Sequence, residues 1–346
     1  MTESEQVLRQ HEATMTELGR ALPNSGLSAI GEKLELGGWP EDLRHTPMII
    51  DTDIGEDPDD AFAVAVAGRS VPTLRAVVTN NEVRRGERAR FARQLLNALG
   101  RQDVITAAGV TDRESAGFVV GSLVDETIPG QPTDVLDVVR EICHQTAGPV
   151  RWVGIGALTN LARVVTVDPD LAAQLRVTQM GGGLSYRRPE RAEHNIRLDV
   201  AAARTVFDAV ADGRLAAPEL VSSDVTYTPE IELDRGSALI RTLSVPSAPA
   251  WAHLLVDHLD CWISQSQYSC SLQHDVLTLS AALDLPFVDS DFMNIALDEI
   301  GRTTAVDPPA GSRVRWSLRA RYRPFMTWLG RVLTPQGDDT TPSEPH

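Results

Sequence analysis

From Asp51 to Asp60 the chain reads DTDIGEDPDD, so six of ten consecutive residues are carboxylic acids: Asp51, Asp53, Glu56, Asp57, Asp59 and Asp60. Like charges a few Å apart oppose one another's ionisation, and an empty loop of this composition would repel itself. A bound divalent cation removes that conflict. The donors are all oxygens, with no Cys or His inside the cluster, which favours a hard ion such as Ca²⁺ or Mg²⁺ over Zn²⁺. An acid-rich helix start is the plain alternative, since helix N-termini welcome anions. Capping, however, needs one or two acids and not six.

The flanking residues say what must position this loop. Met48, Ile49 and Ile50 form an apolar run suited to a buried parallel strand, and Ala61 to Ala65 suit a buried helix. Further on, strand and helix patterns alternate. Strands are predicted at Leu74–Val78, Val150–Val153, Arg176–Gln179 and Leu220–Ser222, and helices at Gly86–Leu99 and Asp134–Gln145, with loops over residues 104–130. The expected class is α/β: an open, mostly parallel sheet with helices on both faces and the active site at the carboxyl ends of the strands. The unusual residues fall after those strands. They are the acid loop, Asn80 and Asn81, the Gly154 to Gly156 turn, the Gly181 to Gly183 loop and Asp224, with Glu193 and Asn195 placed to close over the same mouth. A last pair, His274 and Asp275 in LQHDVLTL, starts another apolar segment. At a helix start Asp275 can turn to a metal while His274 projects over whatever the metal holds. Alone, the pair would read as an N-cap beside an exposed histidine.

Whole-chain properties narrow the function further. A net charge of −16 over 346 residues argues against nucleic acid and anionic membrane as partners, both of which need a basic footprint. Cys143, Cys261 and Cys270 are an odd number without metal-ligand spacing and read as reduced thiols, which points to a cytoplasmic protein. No apolar run has the length of a membrane span. Val7, Leu8, Met15, Leu18 and Leu22 recur at helical spacing, so residues 1–46 are expected to form a helical extension with a helix over Glu3–Ala21. Residues 47–333 make the main domain, and the apolar-poor tail 334–346 is expected to be disordered.

Over residues 47 to about 333 the chain resembles the inosine-uridine preferring nucleoside hydrolases. DTDIGEDPDDAFAV is similar to that family's opening signature, VVTNN to its second-strand asparagine, GIGALTNLA to its GPLTN turn, and MGGG with AEHNIRLD to its ribose-binding segment; SSDVT and HDVLTL complete the order. The resemblance implies Ca²⁺-dependent hydrolysis of the N-glycosidic bond of a ribonucleoside. Asp53, Asp60 and Asp275 would supply carboxylates to Ca²⁺, and Ile155 a backbone carbonyl. Asp53 would also take a proton from metal-bound water. Asp59, Asn81, Glu193 and Asn195 would hold the ribose hydroxyls, and His274 would donate a proton to the leaving base. A homodimer or homotetramer is implied as well.

Three departures qualify the resemblance. Two extra residues separate Gly55 from the Asp59-Asp60 pair, which leaves open whether Asp57 or Asp59 contacts the ribose. In the glycine loop the family's asparagine has no counterpart, and Tyr186, Arg187, Arg188 and Pro189 stand there; an outward-pointing loop and an arginine that accepts an anionic 5′ substituent are the two readings. The 46-residue extension precedes a motif that usually opens the family's chains. Base preference, purine or pyrimidine, is not legible, and Trp262 and Tyr268 are read as core before base-stacking residues. Two other functions compete. A haloacid-dehalogenase-type phosphatase also opens with DxD, but nothing in it explains Asp59-Asp60 together with His274-Asp275. A ribosyl-binding protein without turnover fits the altered glycine loop better than it fits the intact Asp53 and His274.

Overall fold

The computed structural model describes residues 13–22, 46–83, 86–109 and 117–335. Contacts divide the chain into residues 1–46 and 47–346. In the first unit, residues 13–21 are helical, and the rest of the helix expected over Glu3–Ala21 lies outside the described residues. So does residue 336 onward in the expected tail.

The second unit is built on β1 (Met48–Thr52), every residue of which is buried. Its apolar residues alternate between the sheet's faces, as the two-residue period of a strand requires. Met48 and Ile50 pack into one core layer and Ile49 into the other. The connection that follows enters α1 (Asp59–Ser70), whose first ten residues are all buried. Next come β2 (Leu74–Thr79), α2 (Glu87–Ala98) and β3 (Ile105–Ala108), then α3 (Val135–His144), β4 (Val150–Gly154), α4 (Thr159–Val167), α5 (Pro169–Gln174) and β5 (Leu175–Met180). After the glycine loop the chain forms α6 (His194–Leu198), α7 (Val200–Ala211), β6 (Glu219–Val221) and the short α8 (Ser223–Thr226). It continues through β7 (Glu232–Leu233), α9 (Ala238–Leu243), α10 (Ala250–Gln265), β8 (Ser271–Leu272) and α11 (His274–Ala282). The described part closes with β9 (Val288–Leu297), β10 (Thr303–Ala305), β11 (Ser312–Ala320) and α12 (Tyr322–Leu333).

Nine strands form one sheet in the order β10-β9-β11-β6-β5-β4-β1-β2-β3. From β3 to β11 neighbouring strands run parallel; β9 is antiparallel to β11, and β10 to β9. Helices α1, α2, α10, α11 and α12 cover one face around Phe62, Leu95, Leu259, Leu277 and Phe325. Helices α3, α4, α5 and α7 cover the other around Val139, Trp152, Leu161 and Phe207. This is the expected α/β architecture. Two details differ from the sequence expectation. The region 104–130 contains the strand β3, and the antiparallel pair β9 and β11 extends the sheet beyond β6.

The strand order fixes the site. Successive strands step away from β1 through β2 and β3 on one side and through β4, β5 and β6 on the other, so the order reverses between β1 and β4. Crossovers on opposite faces leave a crevice at that switch point, beyond the carboxyl ends. Register brings those ends level, with Asp51 opposite Gly154 and Thr52 opposite Thr79.

Candidate active site

A cavity of about 410 Å³ lies in the crevice, lined by Asp53, Glu56, Asp57, Asp59, Asp60, Ile155, Glu193, Asn195, His274 and Asp275 among others. Asp51 is not part of it. On β1 it faces the α4 side, where Asn80 and Asn160 each donate to Oδ1 at 2.8 and 2.9 Å. Burial, opposed by these two bonds, raises its pKa to about 7. Asp51 therefore ties β1 to the end of β2 and to α4. Thr52, on the opposite face, donates its hydroxyl to Asp60 in the first turn of α1.

The acid loop between β1 and α1 is held from below by Arg88, a fully buried residue of α2. Its guanidinium donates to the carbonyls of Ile54 at 2.8 Å, of Asn81 at 2.9 Å, and of Asp53. The loop turns at Gly55, whose φ is +108°; a Cβ there would lie 2.5 Å from the Phe118 ring, so only glycine fits.

Two helices point their N-termini into the cavity. Asp59 and Asp60 begin α1, and Asp275 lies in the first turn of α11, its N–H donating to Asp59 Oδ2 at 3.4 Å. Carboxylate oxygens of Asp59, Asp60 and Asp275 all come within 4.8 Å of one another. Each of the three has its pKa pushed well up, first by burial and then by the neighbouring carboxylates. None forms a salt bridge among the described residues. Oxygens bound to one Ca²⁺ at about 2.3–2.6 Å lie no more than about 5 Å apart. This donor set, all oxygen, buried and without a salt-bridge partner among the described residues, fits a hard cation.

Asp53 is buried and belongs to a second group, in which it, Glu56 and His194 bring one ligand atom each within 4.8 Å. Of the residues expected around a metal, Asp60 and Asp275 thus converge, Asp59 joins them, and Asp53 and the end of β4 at Ile155 border the same cavity. Asp57 takes the Ser271 hydroxyl and the Asp59 N–H, and burial raises its pKa to about 7. Asp57 and Asp59 both line the cavity.

Glu193 caps α6 and accepts N–H bonds from Gly182 at 3.1 Å, Asn195 at 3.0 Å and Ile196 at 3.3 Å, fixing the glycine loop against that helix. Asn195 donates to the carbonyls of Met180 at 3.2 Å and Ile155 at 3.4 Å. Asn81 is placed differently from expectation. It is half-buried with a left-handed φ of +47°, turns its carbonyl to Arg88, and does not line the cavity. Asn80, fully in the interior, is the residue that reaches inward from this strand end.

His274 stands over the acids. Burial, with Arg187 and His194 nearby, pushes its pKa down to about 3, and its Nδ1 has no hydrogen-bond partner among the described residues. Its ring lies parallel to Tyr227 at 6.3 Å between centroids. Trp262 and Tyr268 stack on each other at 5.4 Å and both line the cavity; Trp262 is also buried in the core, as expected, whereas Tyr268 is exposed and is not a core residue. Sequence reasoning missed Arg88 and His194. One resembled its neighbours in an arginine-rich helix, and the other stood as a spacer between Glu193 and Asn195; neither carries a signal apart from the fold.

A mostly parallel sheet with buried carboxylates at its switch point, facing a cavity and able to hold a metal ion, is the arrangement of an α/β enzyme. The sequence profile of the inosine-uridine preferring nucleoside hydrolases matches residues 48–321, and the chain belongs to that family of N-glycosidases. A pyrimidine-specific ribonucleoside hydrolase, RihA, of Shewanella woodyi is 26% identical over 225 residues, covering 60% of this chain and 70% of that one. Among solved structures, a plant nucleoside hydrolase, PpNRh1, superposes with a TM-score of 0.70 at 23% identity, over 84% of this chain and 100% of that one. A purine-preferring ribonucleoside hydrolase from Gardnerella vaginalis gives a TM-score of 0.65 at 20% identity, over 84% and 98%. These likenesses extend the shared fold across nearly the whole of the solved chains. Among the described residues no helix is long and apolar enough to cross a membrane.

Proposed function

We propose that the protein hydrolyses the N-glycosidic bond of a ribonucleoside in this cavity with Ca²⁺ as its cation, releasing ribose and the free base. The observation that carries the reading is the buried Asp59, Asp60 and Asp275 group, whose oxygens meet within 4.8 Å and form no salt bridge among the described residues. Asp60 and Asp275 would hold the ion with Asp59 or Asp53 and the Ile155 carbonyl. A cavity walled by carboxylates favours Ca²⁺ over Mg²⁺, because Ca²⁺ accepts more oxygens in a less regular geometry. When bound, the ion would acidify a water molecule and fix its direction.

Asp53 is the base in this scheme. Its side chain lines the cavity, and its backbone carbonyl is clamped by Arg88, so the carboxylate would keep its aim while accepting the proton of the attacking water. Asp57 or Asp59, with Glu193 and Asn195, would bind the ribose hydroxyls. As the bond to the base breaks, positive charge develops on the ribosyl ring, and the surrounding carboxylates stabilise it. His274, with a pKa near 3, enters the reaction neutral. It would give the departing base an N–H hydrogen bond rather than the proton of an imidazolium. Trp262 and Tyr268 offer that base an aromatic wall.

The test is release of free base and reducing sugar from a panel of purine and pyrimidine nucleosides with calcium present, for the native protein and Asp53→Ala. Release that falls by at least about a thousandfold in the variant, with calcium still bound, is the expected result. No release from any nucleoside by the native, calcium-loaded protein would overturn the reading in favour of ribosyl binding without turnover.

A further inference from the structure

Arg187 is the one arginine among the described cavity-lining residues, on a wall otherwise rich in carboxylates. It pairs with none of them. Among the described residues its guanidinium has no hydrogen-bond or ion-pair partner and instead lies over two tyrosine rings, 4.1 Å from the centroid of Tyr227 and 5.0 Å from that of Tyr186. In a chain of net charge −16, an arginine beside a carboxylate-lined cavity would be expected to swing to an acid unless something held it away. The two ring faces do so. They fix the plane of the guanidinium and leave its N–H groups free, the state in which arginine recognises a planar array of anionic oxygens.

The position indicates which part of a substrate would meet it. The inference rests on the ribosyl reading above, in which the 2′ and 3′ hydroxyls lie against the carboxylates at the floor and C1′ carries the base under His274. Only the C4′–C5′ arm of the sugar is then uncommitted. Arg187 is exposed and lines the cavity, its guanidinium 4.1 Å from the centroid of Tyr227, whose ring lies 6.3 Å from that of His274. Arg188, by contrast, does not line the cavity.

We propose that Arg187, aligned by Tyr186 and Tyr227, binds a phosphate on the 5′ carbon, so that the preferred substrate is a 5′-phosphorylated riboside rather than the plain nucleoside. A cavity this acidic otherwise repels phosphate, so a single unpaired guanidinium has a large effect on the preference between the two. The experiment measures equilibrium binding of ribose 5-phosphate and of ribose to the full calcium-loaded chain by calorimetry. It also measures kcat/KM for a nucleoside and its 5′-monophosphate, with Arg187→Met and Arg187→Lys alongside.

Ribose 5-phosphate should bind at least about tenfold more tightly than ribose, and Arg187→Met should remove most of that ratio while Arg187→Lys keeps part of it. The ratio of kcat/KM for the 5′-monophosphate over the nucleoside should fall in parallel. Equal binding of the two sugars, turnover of the plain nucleoside equal to or better than that of its 5′-monophosphate, or a preference unmoved by Arg187→Met would overturn the proposal and leave the hydrolase reading standing. An Arg187-dependent preference for ribose 5-phosphate in a protein that cleaves nothing would uphold the anion site and reject the hydrolase reading.

Discussion

Asp60→Asn should have opposite effects on stability with and without the cation. Oxygens of Asp59, Asp60 and Asp275 lie within 4.8 Å of one another, and at an effective dielectric constant of about 20 each ionised pair at that separation costs about 3.5 kcal/mol. Asp60 takes part in two such pairs. The metal-free protein escapes part of this cost by keeping protons on the cluster, whose three pKa values are pushed up first by burial and then by the neighbouring carboxylates. The gain from removing one charge is therefore smaller than two full pairs, about 2–3 kcal/mol. Asparagine can still accept the Thr52 hydroxyl at its Oδ1, so the change is close to one of charge alone.

The pH dependence follows in sign. A carboxyl whose folded pKa is raised binds more protons in the folded than in the unfolded state between the two values, so metal-free stability is greatest near the unfolded value and falls as pH rises through the folded one. Asparagine removes one such group and flattens the slope. Thermal melts in chelator from pH 5 to pH 8, repeated with saturating calcium, check this. The variant should melt a few degrees above the native protein in chelator at pH 8. It should also lose much of the calcium-induced rise, which is about 2.7 kcal/mol for the native protein at a hundred times Kd. A variant destabilised equally with and without calcium, at every pH, would refute the cation-site reasoning.

Two further predictions follow from the same geometry. Arg88→Met leaves three backbone carbonyls of the acid loop and β2 end without their charged donor and should cost about 3–5 kcal/mol together with calcium affinity, seen in denaturant and calcium titrations; wild-type values in both would mean that the clamp does not position the loop. His274→Ala should lower kcat about a hundredfold for a natural nucleoside but far less for a riboside whose leaving group departs without protonation, such as p-nitrophenyl riboside. Equal losses on the two would remove His274 from leaving-group assistance.

The parts legible in sequence were those where one strong constraint acts locally. β1 is a short apolar run because both its faces are covered, and α1 lacks a polar side because it is buried all round; such segments read directly. β9 was not read because its residues are half-exposed and polar at Asp289, Ser290 and Asp291, with the pairing to β11 supplying what its own pattern does not. The site divides in the same way. Six acids in ten residues point to a cation-binding loop without any fold, since a bound cation would relieve their repulsion without protonating them. The partition of labour among them does not follow from spacing. Asp51 looks like Asp53 in sequence, yet Asp51 lies within β1 and shares the face of Ile49, against Asn80 and Asn160, whereas Asp53 lies past the strand's end and lines the cavity. Asp57 and Asp59 are likewise indistinguishable until α1 begins at Asp59, which commits Asp59 to the cluster with Asp60 and Asp275 and leaves Asp57 to Ser271. Arg88 and Arg187 make the same point with the opposite charge. The two arginines serve different ends because α2 buries one beneath the loop's carbonyls, whereas the glycine loop places the other over two tyrosines at the cavity. Residue type thus points to a cation, while the direction each side chain takes from the sheet decides which acids would hold it, which would act as base and which only hold the strands together.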